Sequence, residues 1–460
     1  MAIRVADGVV PGPGGAEAAR LLGTMVRDPL AAYVRLTARY GDAVRVPFAP
    51  RRWSFLLSRP EHAEHVLAAN QDNYVKAFTY RPLRALVGDG LLTSEGDIWR
   101  RHRRLIQPVF SRRDVTRFGP QMTAAAQRLV ERWAALPDGS LVNVAQEMSA
   151  LTLEVVGLAL FSTDLTGDAD QMGRAMSAGQ RVAVLATFLP LSWGPTSTRM
   201  VKAAARRLGH TAESIESPVN RLIAARRQAA EPPRTAHDLL DVLLCARDEQ
   251  GAALTDAEIA DEVATFMLAG HETSANTLIW SLALLSAYPA ARERLEEELG
   301  AVLGGRDPDA TDVAALPWAR AVVAEALRLY PPAWTIERDA LADDDVAGTR
   351  VPAGSMVAIP PYLVHRHPDF WPDPAGFDPR RFLPGGNGHS ATRHRYAFIP
   401  FGGGKRACVG SSFAELETVL VLATIAQRFR LELTARGIPA PVAQVTLRPG
   451  RSLPMHLRRR

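Results

Sequence analysis

The stretch FGGGKRACVG, residues 401–410, decides how this chain is read. It places one of only two cysteines, Cys408, in a glycine-rich basic loop, straight after a stiff FIPFG approach at 398–402. Glycines 402, 403, 404 and 410 predict tight turning and close approach of the backbone to something. Lys405 and Arg406 favour a thiolate at Cys408. The next segment, SSFAELETVLVLATIAQRF (411–429), reads as a helix whose first amides support negative charge at sulfur. Together these features describe a thiolate held for use. The other cysteine, Cys245 in DVLLCARD (241–248), reads as a small buried hydrophobe.

A structural zinc site is a poor match, because no C-x-x-C pair is present. HETSA (271–275) opens like a zinc-binding H-E-x-x-H, but Ala275 stands where the second histidine belongs. A single axial thiolate suits haem iron, whose four equatorial ligands come from the porphyrin.

The rest of the chain is ordinary for a globular protein. Of its 460 residues 47% are hydrophobic and 22% charged, which allows a large core. The net charge of +5 does not by itself indicate nucleic-acid binding. Two cysteines exclude a disulfide scaffold and fit a cytosolic protein. No apolar signal region opens the sequence, and no run of about 18 uncharged apolar residues occurs, so no transmembrane helix or membrane anchor is expected.

Most of the chain from about 58 to 330 reads helical by its apolar spacing, as in HAEHVLAAN (62–70), MTAAAQRLVERWAAL (122–136) and MSALTLEVVGLALF (148–161). Strand-like pieces are fewer: AVRVPFA (43–49), WSFLLS (53–58), VPAGSMVAI (351–359), FRLEL (429–433) and SLPMHL (452–457). EPPRTA (231–236) and LPGGNGHSATRH (383–394) read as a linker and a loop. One helix stands out. Thr255 and Glu258 form a capping box, and the pattern then runs to Pro289, which a helix cannot include in its interior. In its middle lies a polar knot, AGHETS (269–274), where Gly270 costs about 1 kcal/mol relative to Ala. Something must offset that cost.

Phe401, Gly404, Arg406, Cys408 and Gly410 match F-x-x-G-x-R-x-C-x-G, and the loop resembles the cysteine-ligand loop of the cytochromes P-450. Further matches follow in the right order. AGHET (269–273) resembles the family's A-G-x-(D/E)-T. EALR (325–328) with FDPRRF (377–382) resembles its E-x-x-R and later arginine. WRRHRR (99–104) resembles its W-x-x-x-R helix.

The resemblance implies a mainly α fold with small β-sheets, a long central helix over a haem and the cysteine-ligand loop beneath it. It implies one domain over 1–460, with a β-rich part at about 40–60, sheet segments within 350–460 and a helical body at about 58–345. It implies haem b (iron protoporphyrin IX), with Cys408 as the iron ligand. Ala269 and Gly270 would leave a groove for dioxygen. Glu272 and Thr273 would be the acid–alcohol pair that delivers protons. Phe401, Gly402 and Gly410 would shape the ligand loop. Trp99, Arg103, Arg338 and Arg406 would hold the haem propionates, with His102 as a lesser helper. Glu325, Arg328 and Arg381 would lock the loop structurally. His271 is expected to pack.

The activity implied is that of a monooxygenase, inserting one atom of O2 into a hydrophobic small molecule such as a terpenoid, steroid, fatty acid or polyketide of secondary metabolism. Phe78, Tyr80, Phe188, Leu189, Thr265, Phe266 and Ala333 are the expected substrate contacts. Arg100, Arg101, Arg104 and Lys405 would form a basic patch for a ferredoxin or flavodoxin-type electron donor with its own reductase. A cytoplasmic monomer is expected. The alternatives are a haem-thiolate peroxygenase or isomerase, against which Glu272 and Thr273 argue, or a non-catalytic haem-binding protein.

Overall fold

A computed structural model describes residues 10–49, 52–165, 213–228, 238–385, 393–435, 437–450 and 452–460. In chain order its helices are α1 (Gly15–Arg27), α2 (Pro29–Tyr40), α3 (Pro60–Glu64), α4 (Arg81–Val87), α5 (Gly96–Ile106), α6 (Gly119–Ala134) and α7 (Val144–Phe161). There follow α8 (Glu213–Gln228), α9 (Leu239–Cys245), α10 (Asp256–Ala287), α11 (Pro289–Leu303), α12 (Pro317–Leu329), α13 (Pro361–Val364) and α14 (Ser411–Arg428). Strands are β1 (Ala43–Ala49), β2 (Arg52–Leu57), β3 (Tyr74–Lys76), β4 (Leu141–Asn143), β5 (Ile336–Ala340), β6 (Asp344–Val346) and β7 (Thr349–Val351), then β8 (Met356–Ile359), β9 (Phe429–Leu433), β10 (Val442–Ala443), β11 (Leu447–Arg448) and β12 (Pro454–Arg459). The fold is mainly helical with small sheets, as the sequence predicts. The chain divides into two compact units.

The first unit spans 1–80, 327–408 and 441–448. Its centre is a five-stranded sheet in the order β1-β2-β8-β5-β3. β2 and β8 are parallel, pairing Ser54 with Met356, and the other neighbours are antiparallel. Side chains alternate between the faces of a strand, so consecutive residues serve different cores. Leu57, Phe55, Val357 and Ile359 pack with Tyr396 and Ile399 on one face. Leu56 and Ala358 pack with Leu30, Tyr33 and Leu36 of α2 on the other. The expected strand over 351–359 is interrupted, because Pro352–Ser355 turns between β7 and β8.

The second unit spans 81–326, 409–440 and 449–460. α10 runs 32 residues, about 48 Å at 1.5 Å per residue. Its capping box forms as read: the Thr255 amide donates to Glu258 Oε2 at 2.7 Å, and the Glu258 amide donates to Thr255 Oγ1 at 3.2 Å. The helix stops at Tyr288, before Pro289 begins α11. α10 is buried along most of its length against α7 and α14. Phe266 stacks on Phe110 (centroids 5.2 Å apart), and Phe413 meets Phe110 and Phe118 edge-on. Each fully buried side chain of this kind contributes about 1.5–3 kcal/mol. By length and composition α7 could cross a membrane despite Glu147 and Glu154, but 67% of that stretch is buried inside the protein. Its apolarity is therefore used by packing.

Candidate active site

Residues 401–408 of the cysteine loop belong to the first unit. The Cys408 amide donates to the Phe401 carbonyl at 2.8 Å, closing the loop on itself, and the cysteine is exposed. Two glycines are obligatory here. Gly402 and Gly404 adopt φ of +72° and +64°, the left-handed region that side chains disfavour. At Gly404 a Cβ would also overlap the Leu67 carbonyl oxygen, because the loop lies flat on the helical turn His65–Ala69. The Lys405 amide donates to Gln71 Oε1 at 2.7 Å, fixing the same approach. Gly410 differs from the expectation of a tight turn: it caps α14 with φ −85°, an ordinary value for any residue. Phe401 and Arg406 are half-buried.

Arg328 and Arg381 serve the neighbouring backbone. Arg328 donates to the carbonyls of His365, Pro374 and Gly376 at 3.0, 2.8 and 2.7 Å. Arg381 donates to those of Pro372 and Asp373 at 2.5 and 2.9 Å. Trp371 lies under the Arg328 guanidinium at 5.0 Å. Glu325 is wholly buried. Arg338, in the middle of β5, is buried and donates to the Glu337 carbonyl at 2.8 Å. No carboxylate among the described residues is within ion-pair distance of it, although Glu337 and Tyr80 interact with it, and its remaining donors suit an anion.

The polar knot lies in the second unit, and most of it is absorbed by packing. A Cβ on Gly270 would stand 3.0 Å from a Val156 methyl, so the missing side chain lets α7 close on α10. That contact offsets the helix cost of glycine. His271 is buried and its Nε2 lies 2.8 Å from Ser149 Oγ, while Thr152 Oγ1 donates to its carbonyl. Burial pulls the His271 pKa down, so the ring is neutral and packs as expected. Ser274 Oγ donates to Glu417 Oε2 at 2.5 Å. Ala269, Glu272 and Thr273 stay half-exposed. Thr273 Oγ1 donates to the Ala269 carbonyl at 2.6 Å, leaving its lone pairs as acceptors.

Other expectations are corrected. Cys245 is exposed, because it ends α9 two residues beyond the buried Leu239, Leu240 and Leu243. His102 turns away from a helper role at the propionates: its Nδ1 lies 2.6 Å from Glu262 Oε1. The basic patch is largely neutralised. Arg100 meets Asp97, Arg104 meets Glu249, and Lys405 meets Asp72 at 3.0 Å. Arg101 bridges Asp248 and Glu258 at 2.7 and 2.8 Å. Trp99 and Arg103 are half-buried on α5, and Arg103 Nε donates to Gln107 at 3.0 Å.

Among the expected substrate contacts, Phe78 is buried beneath the Arg52 guanidinium and Tyr80 is half-buried beneath Lys76. Thr265 is only 3% exposed and faces Gly90, whose Cβ position its hydroxyl occupies. The Phe266 ring is committed to Phe110. Ala333 is exposed. Phe188 and Leu189 lie outside the described residues, as does the linker 231–236.

Among the buried carboxyls with no role read from the sequence are Glu417 and Glu262. Glu417 on α14 is wholly buried, and burial pushes its carboxyl up to about 8, against the pull of Ser274. Glu262 pairs with His102. The only sequence signal for either was a carboxylate on an otherwise apolar helical face.

The donor set fits a haem. No cluster of three or more His, Cys, Asp or Glu side chains arranged for a metal occurs among the described residues. The exposed sulfur thus suits a metal that brings its other ligands, and the buried Arg338 suits a carboxylate on the same group.

Comparison with known proteins agrees. The family described as Cytochrome P450 matches residues 16–452. Cyclooctatin synthase of Streptomyces melanosporofaciens is 34% identical, over 96% of this chain and 92% of its own. Pentalenene oxygenase of Streptomyces avermitilis is 34% identical, over 94% and 93%. The crystal structure of the cytochrome P450DA heme domain superposes with a TM-score of 0.83 at 26% identity, covering 98% of both chains.

Proposed function

Because this chain belongs to the cytochrome P450 family and is a haem-dependent monooxygenase, we propose that its haem is haem b ligated by Cys408, and that it oxygenates a terpenoid. The observation that carries the ligand assignment is the exposed Cys408, in a loop whose glycine at 404 admits no other residue. When bound, the haem activates dioxygen and transfers one oxygen atom to a carbon–hydrogen bond or double bond of the substrate. Arg338 and Arg406, and on α5 Trp99 and Arg103, would hold its two carboxylates. Bidentate guanidinium contacts suit that task.

Glu272 and Thr273 manage protons. The half-exposed Glu272 would link Thr273 to solvent, and Thr273 Oγ1 would accept a hydrogen bond from water through a lone pair, so that a new proton reaches the oxygen only as the hydroxyl gives up its own and the alcohol stays neutral. Rotation away from the Ala269 carbonyl then frees the hydroxyl hydrogen to be donated. Ala269 and Gly270 keep the helix surface beside Thr273 low. Glu325, Arg328 and Arg381 keep a structural role, since the two arginines hold the carbonyls of 365–376.

The substrate reading draws on the two Streptomyces relatives, whose names point to terpenoids, and on apolar and aromatic residues such as the buried Phe78, the half-buried Tyr80 and the exposed Ala333. The electron donor is a separate ferredoxin or flavodoxin-type protein with its reductase, and the enzyme works as a cytoplasmic monomer. Replacing Cys408 with Ala should abolish the thiolate-type spectrum of the reduced, CO-bound protein; retention of that spectrum would discard the ligand assignment. Haem spectral shifts should appear with cyclic terpenes. A response confined to steroids, fatty acids or macrolactones would overturn the substrate class.

A further inference from the structure

Resting on the reading that α5 presents Trp99 and Arg103 to the haem carboxylates, we infer that His102 and Glu262 are a positioning pair that fixes α5 against α10 and so sets where those two side chains stand. Within α5 only His102 and Ile106 are buried, so few side chains hold this helix. His102 and Glu262 are 1% and 0% exposed, with Nδ1 and Oε1 2.6 Å apart. Their second atoms, His102 Nε2 and Glu262 Oε2, are sealed from solvent, so water cannot take the place of either partner. Glu258 Oε1 stands 3.5 Å from His102 Nε2 and also takes Arg101 at 2.8 Å. Arg101 in turn donates to Asp248 and to the Ala253 carbonyl.

A buried ion pair is weak as a source of stability and strong as a fixer of register, because a displaced charge would be left alone in the interior. Residue 103 follows 102 by one helical step, and 99 lies one turn below 103. Any rotation of α5 that separates His102 from Glu262 therefore carries Trp99 and Arg103 with it.

The charged groups around the pair are Glu258 beside His102 and Asp261 beside Glu262 on α10, with Arg101 of α5 bound to Glu258 and to Asp248. Burial raises the Glu262 carboxyl, and His102 and then the Leu91 amide oppose that rise. Burial pulls His102 down, but Glu262 and then Glu258 outweigh it and hold the imidazolium above its ordinary value. A group raised in this way contributes fully below the ordinary histidine value of about 6.5, and its contribution is lost as pH rises through the folded value. The grip on α5 should therefore loosen on the alkaline side.

The test is the rate of haem transfer from the holoprotein to excess apomyoglobin, between about pH 6 and pH 9. Wild-type transfer should quicken about ten-fold across that range, the scale of one buried charged hydrogen bond. Glu262→Gln and His102→Gln should be fast at every pH, with the dependence flattened. Arg103→Gln should be faster than wild type yet keep the pH dependence. An Arg103→Gln protein that holds haem normally overturns the propionate reading beneath the inference. If instead Arg103→Gln loosens haem while Glu262→Gln keeps the wild-type rate and profile, the positioning pair is wrong. A Glu262→Gln protein with a lower unfolding midpoint but an intact pH profile also overturns it. If His102→Gln does not fold, Glu262→Gln alone decides.

Discussion

The ligand loop at 401–410 and the knot at 269–274 are both short, glycine-bearing and polar, yet the fold uses them differently. In the loop, the special residues shape backbone around an exposed sulfur. Gly404 lies flat on the turn at 65–69, and the Cys408 amide closes onto Phe401. In the knot, the special residues mostly serve helix packing. Gly270 admits Val156, His271 meets Ser149, and Ser274 meets Glu417, which leaves Glu272 and Thr273 for chemistry. An irregular loop can meet its neighbours through its backbone, as the Lys405 amide meets Gln71, whereas a helix buried on several sides must satisfy each polar side chain where it packs.

Substitutions can break or sharpen that contrast. The largest structural effect should come from Gly404→Ala, which combines a left-handed φ with overlap on the Leu67 carbonyl oxygen. A loss of about 3 kcal/mol or more, together with loss of bound haem, is expected in denaturant titration with absorbance read in parallel. A mild effect would show that the loop can lift off. Gly270→Ala should cost much less, about 1 kcal/mol, since the gain in helix propensity partly offsets a tight contact.

Glu417 supplies a pH test. Its carboxyl is protonated in the fold up to about 8 but ionises near 4.5 when unfolded. Its contribution to stability therefore falls as pH rises from about 4.5 to about 8, by up to about 1.4 kcal/mol per unit. Glu417→Gln should flatten that slope in urea titrations, and an unchanged slope would mean that the carboxyl is already ionised. On the acid side, His62 and His365 are held down to about 4 and about 3 by burial. Unfolding lets each take up a proton, so each should remove about 2 kcal/mol between pH 6.5 and pH 5.

Smaller effects concern function alone. Thr273→Ala should keep haem and fold but lower product formed per reductant consumed, with hydrogen peroxide rising in step; unchanged yield would return Thr273 to mere back-bonding. Arg100→Glu with Arg104→Glu should slow reduction by a ferredoxin only modestly at low salt, because Asp97 and Glu249 already balance those cations. Alkylation of the holoprotein should label Cys245 and spare Cys408.

By itself the sequence determined the helical class, the capping box and stop of α10, the strands at 43–49 and 429–433, and the order of the motifs. These are local: periodicity, caps and glycine depend on neighbours in the chain. It also marked Cys408 as unlike Cys245, although it misjudged where Cys245 lies. Only the tertiary structure decided which charges are already answered. It turned His102 toward Glu262, neutralised Arg101 and Arg104, set Gly270 against Val156 and sealed Glu417 beside Ser274. Each of these joins residues more than a hundred positions apart. A partner's charge and the exclusion of water exist only once distant segments meet, and no spacing along the chain encodes them.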